Sequence, residues 1–448
     1  MRNYICTLNE AVERKHVRYN NRYGFALAGD LYTAKDMDKN SKYPAVVVGA
    51  PYGGVKEQGP SVYANELAKR GFVVLTFDPC YMGESAGEPR HVSSPDMFSE
   101  NISAGVDCLG LLSYVDRDRI GAVGICGSGG FSLSAAAMDM RIKAVVTASM
   151  YDMSYAARAG QTPEQITENK KRLSLQRWID VENGYPEYIP SCPEDAVTEI
   201  PAEMQGIWRE FFEFYATKRG HHPNARGGFT TTSDLSFINY PLLAHIDEIS
   251  PRPILFIVGE QAESRFFSDA AFENAQEPKE MMVIPNCNHV DLYDDVTKIP
   301  FDKYYAQSLA AVLLYLHRFD PPYIYRDMKP MNVLVTNSRA VKLIDFGIAM
   351  EYKPGAQNDI DYLGTRGYAA PEQYGGKGAI DQRSDIYGLG ITMHQLLTGI
   401  APNEPPYEMP PVRRVKPKFR KAWNTSSKSV LPPILMNAII TVRSFCLI

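Results

Sequence analysis

Cysteine is scarce in this 448-residue sequence, and the spacing of the cysteines speaks against domains held together by zinc or by disulfides. The cysteines are odd in number and contain no C-x-x-C pair, which excludes a zinc ribbon and argues against a disulfide framework. They are scattered along the chain at Cys6, Cys80, Cys108, Cys126, Cys192, Cys287 and Cys446. This usage is typical of a reducing compartment, so we expect a cytoplasmic protein.

A strong charge of one sign is also absent. Lys and Arg number 47 against 52 Asp and Glu, a formal net charge of −5, so no nucleic-acid partner is expected. The start M-R-N-Y-I-C-T-L-N-E lacks the apolar core of a signal peptide. The apolar stretch 429–448 is interrupted by Pro432, Pro433, Asn437 and Arg443, so we expect neither a membrane span nor a membrane partner.

The first 150 residues alternate short apolar runs with segments of helical spacing. Runs that are apolar throughout are typical of strands buried on both faces of a parallel sheet. They occur at Ala45–Gly49, Phe72–Phe77 and Ile120–Ile125. Further strand-like runs follow at Ala144–Ser149, Pro253–Val258 and Met281–Pro285. Segments Ser61–Arg70 and Asp107–Tyr114 have helical spacing, so the pattern predicts an α/β fold with a doubly wound or related sheet.

The sheet pattern lapses between residue 151 and about residue 249, where we predict a helical insertion. Its aromatic residues are Trp178, Trp208, Phe211, Phe212, Phe214 and Tyr215. They form the core of the insertion or, alternatively, line a substrate pocket beneath a cap.

A candidate nucleophile follows the predicted strand Ile120–Ile125, in the sequence G-I-C-G-S-G-G. A nucleophile at a sharp strand-to-helix turn needs small neighbours, and at a helix N-terminus the dipole favours a thiolate. Cys126 is therefore the predicted nucleophile, and the amide of Gly127 is a candidate oxyanion donor. Two alternatives stay open: Cys126 only packs in a tight turn, or Ser128 is the nucleophile.

A general base should follow a late strand, and His289 lies just past Met281–Pro285. The acid that orients it should follow Pro253–Val258, where Glu260 and Glu263 both qualify; we favour Glu260. The glycine-rich loop A-P-Y-G-G-V-K-E-Q lets backbone amides approach a substrate, so Tyr52 is the predicted second oxyanion donor. The order of nucleophile, acid and histidine is that of α/β-hydrolases.

Residues 1–300 resemble the α/β-hydrolase superfamily, in its dienelactone hydrolase-like bacterial branch. The motifs that carry the resemblance are P-A-V-V-V-G-A-P-Y-G-G-V-K-E-Q, F-V-V-L-T-F-D-P-C-Y-M-G-E-S-A-G-E-P-R, the G-I-C-G-S-G-G turn, S-P-R-P-I-L-F-I-V-G-E and N-H-V-D-L-Y-D. The turn departs from the usual G-x-S-x-G, with Cys126 as nucleophile and Ser128 in place of the last glycine. The resemblance implies hydrolysis of an ester, lactone or thioester, or acyl transfer, without a cofactor.

A second set of motifs begins with P-P-Y-I-Y-R-D-M-K-P-M-N-V-L-V and K-L-I-D-F-G, followed by G-T-R-G-Y-A-A-P-E and S-D-I-Y-G-L-G. It resembles the C-lobe of bacterial eukaryotic-type serine/threonine protein kinases, over about residues 304–410. The resemblance implies that Asp327 accepts the substrate hydroxyl proton and Lys329 neutralises the transferred phosphate. Asn332 and Asp345 would hold magnesium. ATP and Mg²⁺ are therefore the implied cofactors of an active kinase.

The upper half of a kinase is not recognisable before these motifs. No G-x-G-x-x-G-x-V and no V-A-I-K precede the catalytic loop, where Tyr305–Arg318 is a predicted helix. We therefore predict an α/β-hydrolase domain over 1–303 with its insertion at about 151–249, and a partial, mainly helical kinase C-lobe over 304–411. Residues 412–448 form a basic and then apolar degenerate tail, with six Lys/Arg between Arg413 and Lys421.

The junction near residues 299–303 has no Gly/Ser-rich or Pro-rich linker. Either the two folds share one helix, or a gene fusion left the second part as a remnant, which we favour. The predicted function is acyl hydrolysis or transfer of a small-molecule substrate by Cys126, His289 and Glu260. The alternatives are a protein serine/threonine kinase, impaired by the missing N-lobe, and a non-catalytic lobe that docks a protein partner.

Overall fold

The structure is a computed structural model that describes residues 3–301, 321–335, 341–352, 364–374, 380–402 and 410. The chain divides into a first unit, Met1–Ile299, and a second, Pro300–Ile448. The predicted helix Tyr305–Arg318 and the basic run Arg413–Lys421 lie outside the described residues. No helix in the described part of the chain is long and apolar enough to cross a membrane.

One eight-stranded sheet organises the first unit, in the order β1-β2-β4-β3-β5-β6-β7-β8. The strands are β1 Val12–Asn20, β2 Ala26–Ala34, β3 Tyr43–Gly49, β4 Val73–Phe77, β5 Val115–Ile125, β6 Val145–Ala148, β7 Ile254–Gly259 and β8 Lys279–Ile284. Strand β2 pairs antiparallel with both β1 and β4. The six strands β3 to β8 pair with one another in parallel. The predicted α/β fold with a mostly parallel sheet is confirmed, and each predicted strand falls on an observed one.

Nine α-helices accompany this sheet in the described residues of the first unit. They are α1 Gly59–Lys69, α2 Pro95–Gly110, α3 Gly127–Met138, α4 Met153–Ala156, α5 Pro163–Asn183, α6 Gly206–Ala216, α7 Asp234–Asn239, α8 Arg265–Asn274 and α9 Asp291–Asp294. The prediction of a helix at Asp107–Tyr114 was wrong in its bounds. Helix α2 begins at Pro95, after the extended Ser94, and ends at Gly110.

The core lies between the sheet and the helices, because the central strands are apolar on both faces. Val47, Leu75 and Phe256 share one buried cluster with residues of α2, α3 and α8. The alternate side chains Val46 and Val74 are also buried, and α1 contacts the same strands. Burial on both faces explains why these strands read as continuous apolar runs.

The helical insertion lies between β6 and β7 and contains α4, α5, α6 and α7. Helix α5 is fixed locally at both ends. Thr162 and Gln165 form a reciprocal capping box at its start, and Gly184 ends it in a left-handed conformation. Leu173 is the one residue of α5 that is fully buried, so its ends rather than a deep core define this helix.

The described parts of the second unit contain short strands and one long helix. They are β9 Tyr323–Ile324, β10 Val333–Val335, β11 Val341–Leu343, β12 Met350–Glu351 and α10 Gln382–Thr398. Strand β10 pairs with β11, and β9 pairs with β12. Helix α10 begins after Asp381, whose carboxylate accepts from the Arg383 amide, and ends at Gly399 in a left-handed conformation.

Candidate active site

Cys126 occupies a strained turn between the end of β5 and the first residue of α3. Its backbone has φ 54° and ψ −120°, a conformation that residues other than glycine rarely adopt. The turn is so tight that a Cβ on Gly124 would lie 2.1 Å from the carbonyl oxygen of Ser128. A Cβ on Gly127 would lie 2.8 Å from the Cβ of Tyr52. The small residues are thus required by close approach of the backbone.

Two backbone amides face the sulfur of Cys126, those of Tyr52 and Gly127. The side chain is 5 % exposed, and this burial raises the pKa of the thiol. Hydrogen bonding from the Tyr293 hydroxyl and from the two amides acts in the opposite direction and favours the thiolate. The two predicted oxyanion donors therefore lie together at the predicted nucleophile.

The loop that carries Tyr52 is held against the insertion by aromatic stacking. The Tyr52 ring lies 4.2 Å from that of Phe229 and 5.9 Å from that of Phe237, centroid to centroid. On the other side, the Ser128 hydroxyl donates to the carbonyl of Ala50 at the start of the loop. Because Ser128 is buried and engaged in this bond, its contact ties α3 to the loop, and the alternative nucleophile is not supported by the geometry.

His289 is fully buried on the loop after β8, and both of its ring nitrogens are hydrogen-bonded. Nδ1 pairs with the hydroxyl of Ser264, and Nε2 lies 2.8 Å from the hydroxyl of Tyr293. Burial lowers the pKa of His289 to about 3, so the imidazole is neutral at neutral pH. Its backbone amide donates to the Glu210 carboxylate at 2.9 Å, which ties the loop to α6.

The expectation that Glu260 orients the imidazole is not met. The Glu260 carboxylate accepts from the amide of Asn286 at 3.1 Å, and that of Glu263 accepts from the amide of Ile207 at 3.1 Å. Both carboxylates therefore accept hydrogen bonds from backbone amides. The side chain that is hydrogen-bonded to Nδ1 of His289 is Ser264, at the end of the same loop. The loop after β7 does reach His289, but the side chain that bonds the imidazole is a serine and neither predicted carboxylate.

Tyr293 is the second residue that the motifs did not indicate. It is fully buried, and its hydroxyl lies beside the Cys126 sulfur as well as His289 Nε2. The sequence did contain an indication of this role. Tyr293 lies four residues after His289, and two residues with this spacing share one face of a helical turn. The segment N-H-V-D-L-Y-D therefore contributes two side chains to the site.

The aromatic residues of the insertion divide between core, site and surface. The rings of Phe211 and His289 lie 5.2 Å apart, edge to face, and Phe214 packs in the same way at 5.0 Å on Tyr293. Trp178 and Trp208 are instead 70 % and 72 % exposed. Part of the aromatic face of α6 thus covers the candidate site, in agreement with the cap interpretation.

In the second unit, three side chains converge on the carboxylate of Asp327. Lys329 Nζ and Asn332 Nδ2 each donate to Oδ2 at 2.7 Å, and the Thr365 hydroxyl donates to Oδ1 at 2.7 Å. Burial raises the pKa of Asp327, but these bonds outweigh it and hold the pKa below its usual range. Asp385 accepts from the amides of Tyr325 and Arg326 and so fixes the start of this loop.

The predicted magnesium ligands Asn332 and Asp345 both carry side-chain oxygen atoms. The Asn332 amide nitrogen is committed to Asp327, which leaves its oxygen as the remaining ligand atom, and Asp345 supplies an exposed carboxylate. Oxygen ligands of this kind suit Mg²⁺. In the described residues, this site included, no group of three His, Cys, Asp or Glu side chains has the arrangement of a metal site.

Comparison with known proteins finds a hydrolase family and a kinase domain in the chain. The "Dienelactone hydrolase family" matches residues 30–172, and "Protein kinase domain" matches residues 272–428. The uncharacterized protein PA2218 of Pseudomonas aeruginosa is 47 % identical over 303 residues, which are 66 % of this chain and 80 % of that protein. The uncharacterized protein YcjY of Escherichia coli is 35 % identical over 60 % of this chain and 88 % of that protein. The first part of the chain thus carries a dienelactone hydrolase family domain.

A solved structure supports the same assignment. The crystal structure of PA2218 matches with a TM-score of 0.64 and 46 % identity, over 67 % of this chain and 94 % of that one. The α/β hydrolase GrgF from Penicillium, at 22 % identity and a TM-score of 0.55 over 66 % of this chain and 97 % of that one, shares the fold. The first part of the chain thus has the α/β-hydrolase fold.

The second part matches a kinase over a limited length. The probable serine/threonine-protein kinase PBL26 of Arabidopsis thaliana is 32 % identical over 172 residues, which are 35 % of this chain. The match spans 41 % of that kinase. The resemblance to a protein kinase in this part of the chain is therefore confirmed as a domain assignment.

Proposed function

We propose that the first unit hydrolyses acyl ester and thioester bonds with Cys126 as the nucleophile and His289 as the general base. The observation that carries the proposal is the strained turn that holds Cys126 at the N-terminus of α3, with the amides of Tyr52 and Gly127 facing its sulfur. A nucleophile beside two convergent donors is the arrangement that acyl transfer requires.

In the proposed mechanism, His289 accepts the thiol proton as Cys126 attacks the substrate carbonyl. The amides of Tyr52 and Gly127 then stabilise the oxyanion, and return of the proton to the leaving group yields the acyl-enzyme. Water deacylates it, with His289 as the base. The steps use groups of this chain alone.

Thioesters are the favoured substrates within this class. Exchange of one thiolate for another at a carbonyl is close to balanced, so a neutral buried thiol needs less activation for a thioester than for an oxygen ester. In support, the thiohydrolase aneE of Aspergillus aculeatus is 26 % identical over 254 residues, which are 56 % of this chain and 77 % of that protein.

The test is turnover of p-nitrophenyl butyrate and of S-butyryl-N-acetylcysteamine by the full chain and by C126A. We expect C126A to lose at least about 10³-fold in kcat/KM on both substrates. The matched control is C108A, because Cys108 is a half-buried cysteine of α2 outside the site. A C126A chain as active as C108A, or a wild-type chain that turns over neither substrate, would overturn the proposal.

A second candidate function is magnesium-dependent phosphotransfer from ATP by the second unit. The convergence of Lys329, Asn332 and Thr365 on Asp327 favours it, because a kinase base is held in this way. Asn332 and Asp345 would hold Mg²⁺, whose charge neutralises the phosphates. The test is calorimetric binding of Mg·ATP to the full chain and to D345A, with D381N, a change at the cap of α10, as control. Binding that D345A abolishes supports this candidate, and no binding by the wild type rejects it.

A further inference from the structure

We propose that Tyr293 is a catalytic residue that relays the proton from Cys126 to His289. This inference rests on the proposed function, because it concerns how the same nucleophile is activated. The observation behind it is that the Tyr293 hydroxyl lies 2.8 Å from His289 Nε2 and also adjoins the Cys126 sulfur.

The first step of the argument is the occupancy of the histidine. An imidazole has two nitrogens, and here Nδ1 is bonded to Ser264 while Nε2 is bonded to Tyr293. Neither nitrogen is left to bond the thiol directly. His289 can therefore act on Cys126 only through the hydroxyl that lies between them.

The second step is the fixed position of the tyrosine. Tyr293 is fully buried in α9, and the edge-to-face ring of Phe214 lies 5.0 Å from its own. The neighbouring carbonyl of Leu292 accepts from the Tyr63 hydroxyl at 2.7 Å. A Cβ on Gly59 would lie 3.2 Å from the Tyr293 carbonyl oxygen, so α1 packs closely against this segment. The hydroxyl is thus held between the sulfur and the imidazole by several elements.

The third step is the proton balance. The S–H bond of Cys126 breaks as its proton passes to the Tyr293 oxygen, and the original O–H bond of Tyr293 breaks as that proton passes to His289 Nε2. The tyrosine is neutral before and after, and one proton has moved from sulfur to nitrogen. The sulfur's electron pair is then free to attack the carbonyl.

The two transfers occur together, because an isolated tyrosinate is unfavourable at this position. Burial is the main reason that the pKa of Tyr293 lies well above its usual value, and the charge of the nearby Cys126 thiolate raises this pKa further. Ser264, which is neutral, occupies the nitrogen where a carboxylate would otherwise stabilise an imidazolium. The resting site therefore holds a thiol and a neutral imidazole. The two protons move as the sulfur attacks the bound carbonyl, from Cys126 to Tyr293 and from Tyr293 to His289.

The test compares the wild type with Y293F and with Y43F as the matched control. Y43F also removes one buried tyrosine hydroxyl, which accepts from the Asp38 amide at 3.0 Å at the start of β3, the end of that strand away from the Tyr52 loop. We expect Y293F to lower kcat/KM for S-butyryl-N-acetylcysteamine by at least about 10²-fold, the usual size of a general acid–base contribution. Y43F should stay within about threefold of wild type.

A second readout separates the relay from a packing role and does not depend on turnover. The rate of Cys126 alkylation by iodoacetamide, mapped by mass spectrometry, is measured against pH in each variant. Loss of a donor to the thiolate raises the apparent pKa of Cys126 in Y293F, whereas loosened packing would admit water and lower it. The expected result is an upward shift in Y293F and none in Y43F.

The outcomes distinguish the two proposals. If the wild type is active, C126A is inactive, and Y293F keeps more than a third of the wild-type kcat/KM, the relay is wrong and the proposed function stands. A downward or absent pKa shift in Y293F also overturns the relay, even if no ester is turned over. If C126A is fully active, the proposed function fails and the relay fails with it.

Discussion

At the scale of single residues, the candidate site depends on close contacts that small side chains permit. Gly124 and Gly127 let the β5–α3 turn approach Ser128 and Tyr52, and this contact brings the Tyr52 amide to the Cys126 sulfur. Cys126 itself bears the positive φ, at a residue type that seldom adopts it. The strain is thus concentrated at the residue that we propose as the nucleophile.

The first prediction concerns Gly127. A Cβ there would lie 2.8 Å from the Tyr52 Cβ and 3.4 Å from the Tyr52 amide nitrogen, so G127A should push the second oxyanion donor away. We expect kcat/KM on p-nitrophenyl butyrate to fall by about 10²-fold, the cost of one such donor. The matched control is G110A, where the nearest atom to a Cβ is 3.8 Å away. Equal activity of the two variants would show that Tyr52 contributes no donor.

The second prediction concerns the buried cluster that anchors the same loop. Lys56 Nζ pairs with Glu57, Asp78 and Glu84 at 2.6, 2.9 and 2.8 Å, so three carboxylates share one cation. Burial, with repulsion from Asp78, raises the pKa of Glu57 to about 7. The folded state therefore binds more protons than the unfolded state between the ordinary Glu pKa and about 7, and stability falls as pH rises through that window.

E57Q removes this charge but keeps an oxygen that can accept from Lys56. We expect E57Q to be more stable relative to wild type at pH 8 than at pH 5, by about 1–2 kcal/mol in the free energy of unfolding. The measurement is urea denaturation at the two pH values. As control, E66Q should lose stability at pH 8, because Arg70 and Lys69 outweigh burial and lower the pKa of Glu66. A gain for E57Q that does not depend on pH would contradict the assignment.

At the scale of elements, the insertion is joined to the loop that carries the histidine. Glu210 of α6 accepts from the amides of His289 and Val290, at 2.9 and 3.4 Å. Arg219, just after α6, donates to both carboxylate oxygens of Asp294 in α9. Because α9 also carries Tyr293, these contacts set the position of the site from the insertion side.

The third prediction follows from the Arg219 contact. R219A removes a bidentate pair to Asp294, at 2.9 and 2.7 Å, and leaves the α9 turn less firmly held. We expect a fall of about tenfold in kcat/KM and a loss of about 1–2 kcal/mol in stability. R226A is the control, since Arg226 bonds Cys192 and Ser191 within the insertion itself. If R219A lowers stability but not kcat/KM, the insertion does not position α9.

The elements that could be predicted from sequence are those whose surroundings are uniform. Strands β3 to β8 are flanked by helices or other strands, so each appears as an apolar run, whereas β1 alternates buried and exposed residues and was not predicted. In the site, Cys126 and His289 follow strand ends and were predicted by position. The partners of His289 depend on side-chain direction within two loops, and no spacing rule separates Ser264 from Glu260.

At the scale of the whole molecule, the chain joins a complete hydrolase sheet to part of a kinase. Within the described residues of the second unit, Met331 is 84 % exposed, Phe346 48 % and Ile344 40 %. These apolar residues lie in the M-K-P-M-N and D-F-G motif segments. Exposed apolar surface of this kind promotes association.

The last prediction concerns a chain that ends after residue 301. The first unit ends at Ile299 and has its own core between the sheet and helices α2, α3 and α8. We expect this shortened chain to keep kcat/KM on p-nitrophenyl butyrate within about twofold, because Cys126, His289, Tyr293 and both amide donors lie before the cut. It should also be monodisperse by light scattering where the full chain associates through its exposed apolar residues. If the shortened chain aggregates or loses activity more than about tenfold while keeping its helical circular dichroism, the kinase-like part supports the hydrolase and is not a remnant.

Limited proteolysis of the full chain gives an independent check of the same prediction. A remnant joined to a stable domain should be cleaved soon after residue 303, and the cleaved protein should turn over the substrate as fast as the uncleaved protein.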